Sequence, residues 1–329
     1  MRTFAAFLAC ASIIGLAGCD GQTPLVASTT SSSESSPDLT GAQEKAIRKR
    51  ILKGIDSANS SRDSTGLDSF MSGPALAIRT SELAIAKATG ELDPKTTIPS
   101  GGVQTVIPTN SGWPRSVFTI TTTTKDQQSK RLLVLRQDSA RGNYRLWAVA
   151  RLFEGAQMPK FAIPSIGSSL GDVDDSGLVM TPETAVERYA DVLQNGTGSD
   201  YATQFSDDYF RQDLTTLAKT VQKGMEQNKG TQSQTFTAVR DAITVMRSSD
   251  GGDLVVARID SEWVRKAGEG RQSLPASDAE KALFGSGKAT STMKVSYVNV
   301  VALYVPPAGS GKQVVAVGAE RQPVSVKAS

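Results

Sequence analysis

The chain contains no histidine and only two cysteines, Cys10 and Cys19, both close to its N-terminus. The lack of histidine excludes a Ser-His-Asp triad, an imidazole general base and an imidazole metal ligand. With no cysteine after Cys19, the rest of the chain holds no disulfide, no thiolate nucleophile and no thiolate metal site. Excess charge of one sign is lacking too. The 36 Lys and Arg stand against 33 Asp and Glu, a formal net charge of +3, which makes no overall basic field for nucleic acid. No apolar run reaches the roughly 18 residues of a membrane-spanning helix. What is present is 39% hydrophobic and 21% charged residues over 329 positions, too apolar for wholesale disorder. At about 150 residues per domain, that length suggests two domains.

The N-terminus has the order of an export signal. Arg2 supplies a positive charge, Phe4 to Ala17 is an apolar run broken by Ser12 and Gly15, and small residues follow. The run ends in Leu16-Ala17-Gly18-Cys19, which resembles the lipobox of bacterial lipoproteins. That resemblance implies removal of residues 1–18, diacylglycerol on the Cys19 thiol and a mature chain held by lipid on the extracytoplasmic face of the cell membrane. Residues 19–40 are rich in Ser and Thr, with no aromatic and no basic residue, and are expected to be a flexible tether of about 25 Å root-mean-square reach.

Two similar halves follow. In the first, 41–162, Ile47, Ile51, Leu52, Ile55 and Ala58 mark an amphipathic helix, and Gly73-Pro74 opens a second one to about Thr89. Ser116 to Thr124, Lys130 to Gln137 and Asn143 to Phe153 read as strands, the last with Tyr144, Leu146, Ala148, Ala150 and Leu152 on one face. After a linker, 163–180, the order repeats in 181–329. Thr181-Pro182-Glu183 starts a helix, Phe210, Leu214, Leu217, Val221 and Met225 stripe another, and four strands are expected at 234–246, 254–264, 290–305 and 313–319. Helices followed by consecutive strands describe an α+β fold with an antiparallel sheet, here as two tandem domains. The order resembles the NTF2-like (cystatin-like) cone, which implies a curved sheet around a pocket. The second half, with Tyr189-Ala190-Asp191, Phe205 and Phe210, also resembles actinobacterial lipoproteins, a likeness that implies no particular activity.

Several short motifs resemble chemical sites. Gly167-Ser168-Ser169-Leu170-Gly171 matches a nucleophile elbow but has no histidine to serve it. Ser291-Thr292-Met293-Lys294 falls in a strand, where Ser and Lys cannot stack one helical turn apart. Gly285-Ser286-Gly287-Lys288 and Gly309-Ser310-Gly311-Lys312 lack the rest of a phosphate loop and read as turns. Asp172, Asp174, Ser176 and Glu183 fall at positions 1, 3, 5 and 12 of a calcium-loop pattern with Gly177 at its turn. An acidic linker ending in a helix cap explains the same residues, so no metal and no cofactor is assigned. Asp207-Asp208 and Asp174-Asp175 are sequence neighbours and form no acid/base dyad by themselves. Lys45, Arg48, Lys49, Arg50 and Lys53 are expected on the solvent side of the first helix, as a solvated face that could also touch anionic headgroups.

By subtraction, the expected function is a non-enzymatic binding or interaction module of the cell envelope, with an envelope protein or a small ligand as partner and no nucleic acid. The alternatives are a carrier or sensor for an apolar ligand in an NTF2-like pocket, and a carboxylate/tyrosine enzyme of that fold.

Overall fold

The computed structural model describes residues 36–109, 112–123 and 129–329, which form one compact unit. The expected signal segment and Cys19 lie outside these residues. The first half contributes α1 (Gly41–Ser61), α2 (Gly73–Thr89), β1 (Gly102–Val106), β2 (Arg115–Thr121), β3 (Arg131–Gln137) and β4 (Arg145–Leu152). The second contributes α3 (Pro182–Asn195), α4 (Tyr209–Gln227), β5 (Thr231–Arg247), β6 (Asp253–Lys266), α5 (Asp278–Phe284), β7 (Thr292–Val305) and β8 (Val315–Ala328). The fold is α+β, with one antiparallel sheet ordered β1-β2-β3-β4-β8-β7-β6-β5.

The helix starts follow from local chemistry. Thr40 and Gln43 form a capping box at α1, Pro74 and Pro182 occupy first-turn positions, and the Thr181 and Asp208 side chains accept backbone N–H groups at α3 and α4. Ile51, Leu52, Ile55 and Ala58 of α1 pack with Val117, Leu133, Leu135 and Leu146 on one face of β2–β4. The basic residues of α1 are not all on its solvent side. Arg48 is buried against Glu44 at 2.7 Å, because Glu44 itself is buried beside Thr119 and needs a counter-charge. Arg50 donates to the Tyr144 carbonyl. Lys45, Lys49 and Lys53 remain as an exposed stripe at intervals of four.

The two halves share their sheet and part of their core. The β4–β8 joint consists of Arg151↔Ala319 and Leu152↔Gly318. A Cβ on Gly318 would stand 2.6 Å from the Arg151 carbonyl oxygen, so the close approach requires glycine. Beyond the joint, α2 lies along β8, and the Ser81 hydroxyl donates to the Pro323 carbonyl. This covers a strand edge that β4 is too short to pair. Phe118, Ile120, Leu132, Val134 and Leu152 of the first half meet Leu254, Val256, Val298, Val300 and Val317 of the second in a single buried cluster. The outer face of β6–β8 carries the second half's own core, with Val186, Tyr189, Phe210 and Leu214 from α3 and α4.

One strand departs from simple alternation. The β3–β4 register shifts between Val134↔Ala148 and Leu135↔Leu146, leaving Trp147 as the extra residue of a β-bulge. Tyr144 and Leu146 therefore pack under α1, whereas Trp147, Ala148, Ala150 and Leu152 point into the shared cluster. The expected single apolar face is divided in two, and Trp147 is 5% exposed. No described helix is long and apolar enough to cross a membrane.

Candidate functional site

The principal concavity lies at the joint of the halves. After Leu152 the chain leaves the sheet with one further bond, Phe153 N–H to the Val317 carbonyl at 3.0 Å, and runs as a strap to Lys160, whose carbonyl accepts from Ser249. The strap, the N-terminus of α4, the turn at Asp250, the end of β7 and the start of β8 enclose an open cavity of about 890 Å³. A second hollow of about 450 Å³ lies between α4 and the β4–β8 joint, walled by Leu152, Phe210, Leu214 and Leu217. Both are bordered by Phe153, Glu154 and Tyr209. The Phe153 and Tyr209 rings meet edge to face, with centroids 5.9 Å apart, so one aromatic pair stands between the two hollows. Tyr209 is 52% exposed and Leu217 40%, high values for residues of that size on an otherwise well-packed helix.

The larger hollow presents carboxylates from Glu154, Asp207, Asp208 and Asp250 against ammonium groups from Lys160 and Lys312. Most of the carboxylates are held by internal donors. Asp208 Oδ1 accepts the Arg211 backbone N–H at 2.9 Å, capping α4, and the Tyr189 hydroxyl at 3.1 Å. Its Oδ2 lies 4.0 Å from Arg211 Nη1, beyond hydrogen-bond reach. Burial pushes Asp208 above the usual carboxylate range despite the donors that lower it, and burial followed by the Asp208 charge pushes Tyr189 well up. At Asp250 burial acts upward, but hydrogen bonds from Ser248, Tyr304 and Gly252 outweigh it and hold the carboxyl low. The Tyr304 hydroxyl, 2.6 Å from Asp250 Oδ2, is raised by burial and by that carboxylate.

A raised carboxylate beside a tyrosine is the arrangement the carboxylate/tyrosine enzyme alternative would need. Here, however, Tyr189 is 0% exposed and stands behind Asp208, donating to it. The pair ties α3 to the start of α4 and does not present a tyrosine hydroxyl to the groove.

The four residues of the calcium-loop pattern do not converge. Among the described residues no group of three or more acidic, cysteine or histidine side chains is placed to hold a metal ion. Asp172, Asp174 and Ser176 face solvent. Asp172 Oδ1 accepts the Val173 N–H at 2.8 Å, and Glu183 lies 3.5 Å from Arg240. The inward-facing residue is Asp175, between the expected ligand positions, at 2.6 Å from Arg247 Nη2. Arg247 Nε also lies 3.0 Å from the fully buried Asp253, whose carboxyl is raised by burial more than Arg247 lowers it. The linker is thus pinned to the edge of the sheet by a shared guanidinium. Thr181 caps α3 as expected.

Sequence reasoning placed Gly309 to Lys312 in a turn between strands, and so they are, with Lys312 on the rim of the groove. It missed the strap and Tyr209. Asp207-Asp208 ahead of an apolar stripe was a readable helix cap, but the groove it faces depends on the β4–β8 joint.

No curated protein and no solved structure matches the chain. Residues 37–325, which include every helix and nearly all of the sheet described above, match the family described as Domain of unknown function (DUF8094), and the chain belongs to that family.

Proposed function

We propose that this is a lipid-anchored, extracytoplasmic binding module of the cell envelope, non-enzymatic, with its partner seated in the groove at the joint. The observation that carries this reading is the contrast between filled cores and an open, amphipathic groove. The spaces between each half's helices and its sheet, where a carrier would keep its ligand, are occupied by side chains, and so is the cluster that the two halves share. The groove combines exposed aromatic and aliphatic surface at Tyr209 and Leu217 with a carboxylate-rich hollow. Such a surface suits an extended protein segment that offers an apolar side chain next to a basic one.

The finer fold reading belongs with this proposal. Each half has two leading helices and four strands, and the strand order mirrors itself about the β4–β8 joint. This symmetry supports two NTF2-like repeats fused edge to edge.

Native mass spectrometry of the segment from Gly21 onward, purified from host envelope without chelators, tests the module against the carrier. A bare mass is expected. A stoichiometric excess removed by organic solvent would overturn the module in favour of an apolar-ligand carrier. An excess removed by chelator would show that the Asp172 to Glu183 segment takes calcium after all.

A further inference from the structure

We infer that the surface around the root of the tether is a membrane-docking face, on which Trp113, Ile163 and Ile166 enter the interfacial layer of the bilayer. The inference rests on the anchor reading but concerns different residues. Trp113 is 43% exposed, Ile163 61% and Ile166 63%, three of the exposed large apolar side chains among the described residues.

They are brought together at the point where the chain enters the fold. The Asp38 N–H donates to the Pro108 carbonyl at 2.8 Å, and Arg115 lies 3.4 Å from Asp38 while stacking over the Trp113 ring at 4.5 Å. The turn from Ile163 to Gly167 is tied down by the bonds between Ile107 and Ser168 and between Ser168 and Thr109. A Cβ on Gly167 would stand 3.2 Å from Pro37 and 2.4 Å from Thr109. Trp113 is thus linked through Arg115 to Asp38, and the turn that carries Ile163 and Ile166 approaches Pro37 through Gly167; Cys19 precedes Pro37 by eighteen positions in the sequence.

The occupant follows from that placement. A flexible segment of this length would have a root-mean-square reach of about 23 Å, so an acyl chain on Cys19 would hold this face within reach of the bilayer. Tryptophan and aliphatic residues with a satisfied cation alongside suit the headgroup boundary. Because Arg115 is already paired with Asp38, docking should not require anionic lipid.

The test uses tryptophan fluorescence. The chain has three tryptophans, and Trp147 and Trp263 are 5% and 2% exposed, so Trp113 is the one available to lipid. The chain from Cys19 onward, its thiol coupled to a maleimide-headgroup lipid, is placed on phosphatidylcholine vesicles with or without brominated acyl chains. This anchor is independent of acylation in the host. The Trp113-dependent emission, measured against Trp113→Phe, is expected to fall by roughly half in brominated vesicles, as befits an interfacial indole. The double variant Ile163→Ser, Ile166→Ser should lose this quenching while remaining vesicle-bound. Unchanged Trp113 emission in the anchored wild type would overturn docking, as would a concentration-dependent dimer that accounts for the Trp113 shift without lipid. Quenching here, together with unacylated Cys19 in the host, would leave the docking face standing and remove the anchor.

Discussion

Trp147→Ala is expected to lower folding stability by about 3–5 kcal/mol, roughly 10 °C in Tm for a chain of this size, and to do so in a single transition. The indole sits at the bulge of β4, inside the cluster to which both halves contribute, and is almost wholly buried. Removing it leaves a cavity bordered by α2 and by strands of both halves, which cannot collapse without moving the joint. A companion variant sharpens the test. Gly73 has φ +54°, and a Cβ there would stand 2.5 Å from Trp147 Nε1. Gly73→Ala should therefore be strongly destabilising in the wild type and less so beside Trp147→Ala, where the clash is gone and only backbone strain remains. Denaturant unfolding followed by circular dichroism provides both readouts. Two separate transitions, with Trp147→Ala shifting only one of them, would contradict a shared core.

The second large effect is expected at the proposed anchor. Cys19→Ala should move the protein from the membrane fraction to an uncleaved precursor or a released soluble form. Lipid transfer as proposed needs the Cys19 thiol, and the sequence has no apolar run of membrane-spanning length to replace it. Each buried acyl methylene contributes about 0.8 kcal/mol, and two chains suffice for stable attachment. The docking face alone, with three apolar side chains, would give a weak and reversible association. Detergent-phase partitioning of the variant checks this. A processed, detergent-phase Cys19→Ala protein would show that attachment does not pass through Cys19.

Much of the fold was legible because its elements carry local chemistry. The Ile47 to Ala58 stripe, Gly73-Pro74 and Thr181-Pro182 announced three helices, and the Phe210 to Met225 stripe a fourth. Five features were hidden for identifiable reasons. The short edge strand β1 is rich in Gly and Thr, with little apolar patterning, and α5 spans only Asp278–Phe284. Strand β8 was expected to stop at Ala319 but runs to Ala328. Its Pro323 is tolerated because it pairs with Tyr297 beside a register shift. The β4 alternation misled because a bulge adds one residue and reverses every face after it. Least legible was the joint, two residue pairs that turn an apparent pair of domains into one sheet and create the groove beside it. Asp207-Asp208 could be read as a cap, but nothing local to Tyr209 or Phe153 distinguishes a groove wall from core.

The measurement that tests the central claim most directly is photo-cross-linking in the living envelope, with a benzophenone side chain in place of Tyr209. The same group at Lys281, exposed on α5 away from the groove, serves as control. The binding-module account expects a discrete protein adduct from position 209 that is absent from position 281 and lost when Leu217→Arg is added. Equal labelling at the two positions, or adducts from position 209 with lipid alone, would contradict it.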